Sequence, residues 1–222
     1  MIRLLVVSLC LAASWPLIAT AQTTASDRQI AVLMMVDYAR SYGYQIMMAR
    51  IQLERDRAQT ERDEQVLKQK QELVRRRVAP PIELEIAQLK DTWNRAQLVV
   101  AEKSLEYVQA EYDAMVQLAK HYGGNPTSIE NLYAIFKRGW DAGCEKGPVE
   151  VSAAKARFDF MEKVVVRAQE LHARKNEALT SLLEKQAQLE VARAEYKNRS
   201  ASVDRCRTLL YPSLGDVQAI KP

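Results

Sequence analysis

The chain has 222 residues, with 32 Lys and Arg against 28 Asp and Glu and a net charge of +4. Charges so nearly balanced, and interleaved rather than clustered, describe the solvated faces of helices. They leave no aromatic-basic cluster of the kind that nucleic acid needs, so nucleic acid is not an expected partner.

Residues 1–21 read as a secretory signal. Arg3 supplies the charge, residues 4–11 the apolar run, and Ala19-Thr20-Ala21 a small-residue cleavage site before Gln22. The run is shorter than the ~20 residues of a membrane span. Leu9 precedes Cys10 where lipidation needs a small residue, which assigns Cys10 to the discarded peptide. No later stretch is apolar enough to cross a bilayer. The expectation is a periplasmic protein, soluble or peripheral to the outer membrane, with no membrane span in the mature chain. Cys144 and Cys206 remain, a candidate pair in an oxidising compartment.

The first helical run covers residues 27–78, with one glycine (Gly43) and no proline. Ser26 and Gln29 have the spacing of a capping box. Its first half carries Ile30, Leu33, Val36, Ala39, Ile46 and Leu53. Residues 54–65 (ERDRAQTERDEQ) are almost wholly polar. Such a stretch is a solvated shaft, or it meets a neighbour through a thin stripe. A polar turn at 75–81 follows. Pro80-Pro81 suits the first turn of a new helix. Arg75, Arg76 and Arg77 complement the carbonyl end of the first helix, and Glu83 and Glu85 the amide end of the second.

The second helix, 82–122, carries two stripes. One is Ile86, Leu89, Trp93, Ala96, Val100, Tyr107, Ala110, Ala114; the other is Leu98, Ala101, Leu105, Val108, Tyr112, Met115, Ala119, Tyr122. Both keep the three-four spacing of coiled coils. A helix with two seams has two neighbours, so the chain belongs to a sheet or barrel of helices, within one copy or between copies. A homo-oligomer is one expected partner state.

Gly123-Gly124-Asn125-Pro126 stops the second helix. A short irregular segment, 128–142, and breaks at Gly143, Cys144, Gly147 and Pro148 complete an inter-hairpin segment 123–148. Residues 149–210 contain no glycine or proline. Their stripe runs Val151, Ala154, Phe158, Met161, Val165, Ala168, His172, Lys175, Leu179, Leu182, Leu189, Tyr196, Val203, Leu210. Two readings stand. One unbroken helix makes a rod about 90 Å long and holds the cysteines too far apart to bridge. A hairpin folded near Asn176 brings them together. The helix-forming composition around Ala173–Ala178 favours the first, so no disulfide is expected within the chain. Residues 22–211 thus form one elongated helical domain, and 212–222 a loose tail.

No catalytic constellation emerges. His121 and His172 lack a partner at metal-ligand spacing, and no Gly-rich phosphate loop occurs. Glu184 with Lys185, and Glu190 with Arg193, follow ordinary helix-surface pairing. Trp93, Tyr107 and Tyr112 read as seam packing. Asn198-Arg199-Ser200 matches a glycan acceptor in form but lies inside a helical run. No catalytic, cofactor-binding or metal residue is assigned, and the expectation is a non-enzymatic protein without cofactors. The candidate docking residues are Arg75, Arg76, Arg77 and Val78. Consecutive arginines present charge all round a helix end, and Arg grips carboxylates bidentately.

Residues 66–124, from the turn L-V-R-R-R-V-A-P-P-I-E-L-E to the closing Gly123-Gly124, resemble the helical hairpin of the outer-membrane efflux protein (TolC-like) family. Ala87, Ala96, Ala101, Ala110 and Ala119 follow that family's Ala-spaced returning helix. The same tip is similar to the hairpin of periplasmic adaptor (membrane-fusion) proteins. Glu83-Leu84-Glu85 matches their acidic triplet, with Pro80 in place of a Ser. The chain departs from both. The tip glycine is replaced by the arginine run, and neither alternating strand pairs nor adaptor lipoyl and barrel domains are visible. The resemblance implies an all-α fold of long antiparallel hairpins, and a role in an efflux or export assembly. Adaptor, pump or outer-membrane channel subunits are the implied partners. A free-standing periplasmic coiled-coil chaperone or envelope scaffold is the alternative.

Overall fold

Every seventh residue from Val32 is apolar or small (Ala39, Ile46, Leu53, Thr60, Leu67), and this stripe turns the first helix toward the second. The computed structural model describes residues 25–203, 213 and 215. Four helices pack antiparallel in sequence order: α1 (Ala25–Arg75), α2 (Pro81–Tyr122), α3 (Ile129–Ala173) and α4 (Leu179–Ser202). The described residues contain no strand.

The substantial interfaces join sequence neighbours: α1 to α2, α2 to α3, α3 to α4. The result is a single layer of helices, and α2 has the two neighbours that its two seams demand. Cross-helix contacts fix the levels. Lys70 meets Glu83 at 3.2 Å, Trp93 stacks on Phe160 at 5.6 Å between centroids, and Lys103 reaches Glu145 at 3.1 Å. Arg157 meets Glu195 at 2.5 Å, and Phe158 stacks on Tyr196 at 6.2 Å. The longest helix, with 51 residues, spans about 75 Å.

A layer one helix thick cannot surround a large side chain. Accordingly, among the described residues only Ala114 and Ala192 reach zero exposure, and the core is rich in Ala, with Ala101, Ala142, Ala153, Ala154 and Ala168 also buried. Small residues let the backbones approach.

Several expectations are overturned. α1 is already helical at Ala25, so Ser26 lies inside the helix and is not its cap. The inter-hairpin segment shrinks to residues 123–128, because α3 runs without interruption from Ile129 through Gly139, Gly143, Gly147 and Pro148. Two of those glycines mark close approach, not chain reversal. A Cβ on Gly139 would lie 2.6 Å from Glu111 Oε1, and one on Gly147 would lie 3.0 Å from Val203 Cγ2. The chain reverses instead at residues 174–178, so residues 149–210 are not one helix and the 90 Å rod does not form. The hairpin reading near Asn176 is the one observed.

That reversal also removes the distance argument against a bridge. Cys144 is buried and disulfide-bonded, which corrects the expectation of no disulfide. Its bonding partner, and the candidate Cys206, lie outside the described residues, as do the signal at 1–21 and most of the tail at 212–222. Lys185 pairs with Glu177 at 2.5 Å, not with Glu184, whereas Arg193 meets Glu190 at 2.8 Å.

Candidate docking tip

The sequence singled out one tip, and the structure places two at the same end of the layer. Glu83, in the first turn of α2, meets Lys70 of α1 and Arg167 of α3, each at 3.2 Å. Lys163 of α3 reaches Glu85 at 2.7 Å. The end of α3 therefore lies beside the α1–α2 turn, and both chain reversals face the same way.

The two turns are the same turn. The Val78 N–H donates to Leu73 O at 2.9 Å and the Arg77 N–H to Val74 O at 2.9 Å. In the second, the Asn176 N–H donates to Leu171 O at 2.8 Å and the Lys175 N–H to His172 O at 2.8 Å. Each is a Schellman-type closure whose pivot sits in the left-handed region, a place that favours glycine. Here the pivots are cations, Arg77 at φ 58° and Lys175 at φ 62°. Pro80 and Ala178 then open the next helix with nearly equal backbone angles, φ −72° and ψ 149° against φ −71° and ψ 144°.

Of the expected docking residues, only Arg75 lies in the last turn of α1; Arg76 and Arg77 are past its end. Arg75 donates two bonds to Glu72, at 2.8 and 2.9 Å, and Arg76 a third at 2.5 Å. These bonds hold the partly exposed Glu72 carboxyl below its ordinary range. Arg77, Arg174 and Lys175 make no ion pair among the described residues. Val78 stands 72 % exposed between the arginines and Pro80-Pro81. Sequence reading missed Arg174 and Lys175, which look like helix formers. The signal was present: L-x-x-R-R at 73–77 recurs as L-x-x-R-K at 171–175.

The histidines are structural. His121 Nδ1 accepts from the Thr127 N–H at 2.9 Å, closing the α2–α3 connection. His172 Nδ1 lies 2.9 Å from Glu177 O at the opposite end. No cluster of His, Cys, Asp and Glu able to hold a metal occurs among the described residues. Nor is any described helix long and apolar enough to cross a membrane. Comparison with protein-family models, curated proteins and solved structures finds no match for this chain.

Proposed function

We propose that this chain is a non-enzymatic helical protein of the periplasm, a component or relative of an efflux or export assembly. It acts through its double tip, which docks on an acidic partner surface. The observation that carries the reading is the pair of left-handed cations. A non-glycine residue in that conformation costs about 1 kcal/mol. Glycine would relieve the strain at either position, yet both turns place a basic side chain there. Local strain kept at matching positions points to use. With Arg75, Arg76 and Arg174, the cations ring one end of the rod, and Val78 adds an apolar contact. The resemblance of residues 66–124 to TolC-like and adaptor hairpins supports the same end-on docking.

The test replaces Arg75, Arg76, Arg77, Arg174 and Lys175 with Gln. Helix content and melting should hardly change, because none of these side chains is buried. Photocrosslinking from position 78 in the periplasm should lose its partner, and added salt should weaken the wild-type crosslink. Undiminished crosslinking by the Gln variant at normal protein levels refutes the docking role. A free-standing envelope scaffold or chaperone is the second reading, favoured by apolar surface exposed on the first half of α1. Adaptor and pump genes beside this one would favour export.

A further inference from the structure

The outer edge of α1 carries a second stripe that no other described helix covers. Ile30, Met34, Tyr44, Met48 and Ile51 are 53, 50, 61, 47 and 49 % exposed. With Asp37 and Ser41 they keep an unbroken four-three alternation, the spacing of a coiled-coil seam. This stripe lies on the side of α1 away from Ala39 and Leu53, which bury against α2. Leu33 and Met47 flank it, 69 and 48 % exposed. Together these side chains present on the order of 800 Å² per copy. That is about one partner's share of a standard protein–protein interface, divided into two apolar stretches on either side of Asp37 and Ser41.

We propose that two copies pair antiparallel along this stripe, α1 against α1, about a two-fold axis at Ser41. The order of residues is what selects the occupant and its direction. Reading outward from Ser41, the stripe meets its own reverse at Met34 and Met48, seven residues either side, and within one residue at Ile30 and Ile51, while Asp37 falls opposite Tyr44, whose hydroxyl can donate to it. Antiparallel pairing brings Ile30 opposite Ile51 of the second copy and Met34 opposite Met48, with the small Ser41 where the helices cross. A self-complementary patch of this kind is what a two-fold interface requires. Parallel pairing would instead set Asp37 on Asp37 and lay the two polar shafts, residues 54–65, side by side. It would oppose Arg55 to Arg55 and Arg62 to Arg62 along the shaft.

Pairing α1 of one copy with α4 of the next does not cover the stripe. The described part of α4 packs beside residues 147–173 of α3, as the approach of Gly147 to Val203 shows. That places it level with the polar shaft of α1, whereas the apolar stripe lies level with Tyr112 and Gly139. The paired particle carries one double tip at each end. From Ser41 to Arg76 along both copies, the tips stand about 100 Å apart. The pairing rests on the α1 edge alone and is independent of the docking role given to the tip.

Sedimentation velocity of the mature chain at micromolar concentration should show a dimer. Tyr44→Glu with Met48→Glu should weaken association at least about a hundredfold, since a carboxylate at position 44 would face Asp37 of the second copy and one at position 48 would be buried against its Met34. Helix content should stay unchanged, because both side chains point away from α2. Ser41→Cys should form an interchain disulfide on oxidation, whereas Thr180→Cys on the α4 edge should not. A monomeric wild type would overturn the proposal, whether or not it pellets with phosphatidylglycerol vesicles. So would a double variant that dimerises as tightly as wild type, or crosslinking from Thr180→Cys in place of Ser41→Cys. The Gln tip variant should dimerise normally, which separates failure of this proposal from failure of the docking role.

Discussion

Truncating Asp63 to alanine tests what the polar belt between α1 and α2 contributes. Its side chain is 5 % exposed. Its carboxylate accepts from Asn94 Nδ2 and Gln59 Nε2, each at 2.5 Å, and meets Lys90 Nζ at 3.1 Å. Burial alone would raise this carboxyl, but bonds from Gln59, Lys90 and Asn94 outweigh it and hold the group below its ordinary value of 3.8. Alanine leaves the buried Asn94 amide without its acceptor, a cost of about 1–3 kcal/mol. Lys90 is 38 % exposed, so water replaces much of its lost pairing and it adds little. The expected loss is about 2 kcal/mol, or a fall of about 1 M in urea midpoint at an m-value near 2 kcal/mol/M. Far-UV circular dichroism during urea titration measures it. Because the folded-state value is depressed, the contribution is complete above pH 3.8 and is lost as pH falls through the lower folded value. The gap between wild type and Asp63→Ala should therefore close in acid. A midpoint that does not move, or a gap that widens on acidification, refutes the reasoning.

Glu111 behaves oppositely: burial raises its carboxyl, and the bond from Tyr42 offsets this only in part. Ionising it costs stability as pH rises from 4.5 through the raised folded value, so Glu111→Gln should be the more stable chain at neutral pH and equal to wild type in acid. Lys175→Gly should stabilise the protein by about 1 kcal/mol in the same titration by relieving left-handed strain, whereas Lys175→Val should destabilise it. Peptide mapping without reductant should recover the Cys144 peptide joined to that of Cys206, the pairing reached by extending the Gly147–Val203 register three residues; a Cys144–Cys144 link between two copies would refute that register. Reduction should lower stability by about 2–4 kcal/mol.

The heptads made the helical class, the two-seam α2 and the turn at 75–81 readable. Proline at the start of α2 and Gly123-Gly124 at its end act locally, through backbone angles that no packing needs to enforce. The second half was misread because its signals are tertiary. Gly139 and Gly147 look like breaks, but their meaning lies in Glu111 and Val203, which sequence distance hides. Pro148 sits inside α3 because packing on both sides of the helix outweighs its missing bond. The reversal at 174–178 carries no glycine or proline, and the stripe keeps phase through it, so periodicity could not mark it. The second tip was legible only as a repeat of the first. The stripe on the outer edge of α1 was visible as apolar residues, but a sequence does not say which of two faces a neighbour takes.

The polar belt has a second consequence, for register. The α1 seam repeats every seven residues, so sliding α1 along α2 by one heptad, about 10 Å, keeps apolar residues on apolar residues. The tip needs only to unwind a few residues to allow it. Asp63 and Asn94 prevent the slide. Seven residues either side of Asn94 lie Ala87 and Ala101, and a carboxylate buried against alanine keeps Gln59 but loses its partners from α2, Asn94 and Lys90, at a cost of several kcal/mol. Replacing both polar groups, Asp63→Leu with Asn94→Leu, should therefore raise stability above that of Asp63→Ala while loosening register. Spin labels at Arg55 and Glu102, both exposed and on facing helices, read this directly. Wild type should give one narrow distance distribution. The double Leu chain should add a second population displaced along the rod by about one heptad. A single unchanged distribution would mean that the turn, and not the buried pair, sets the register.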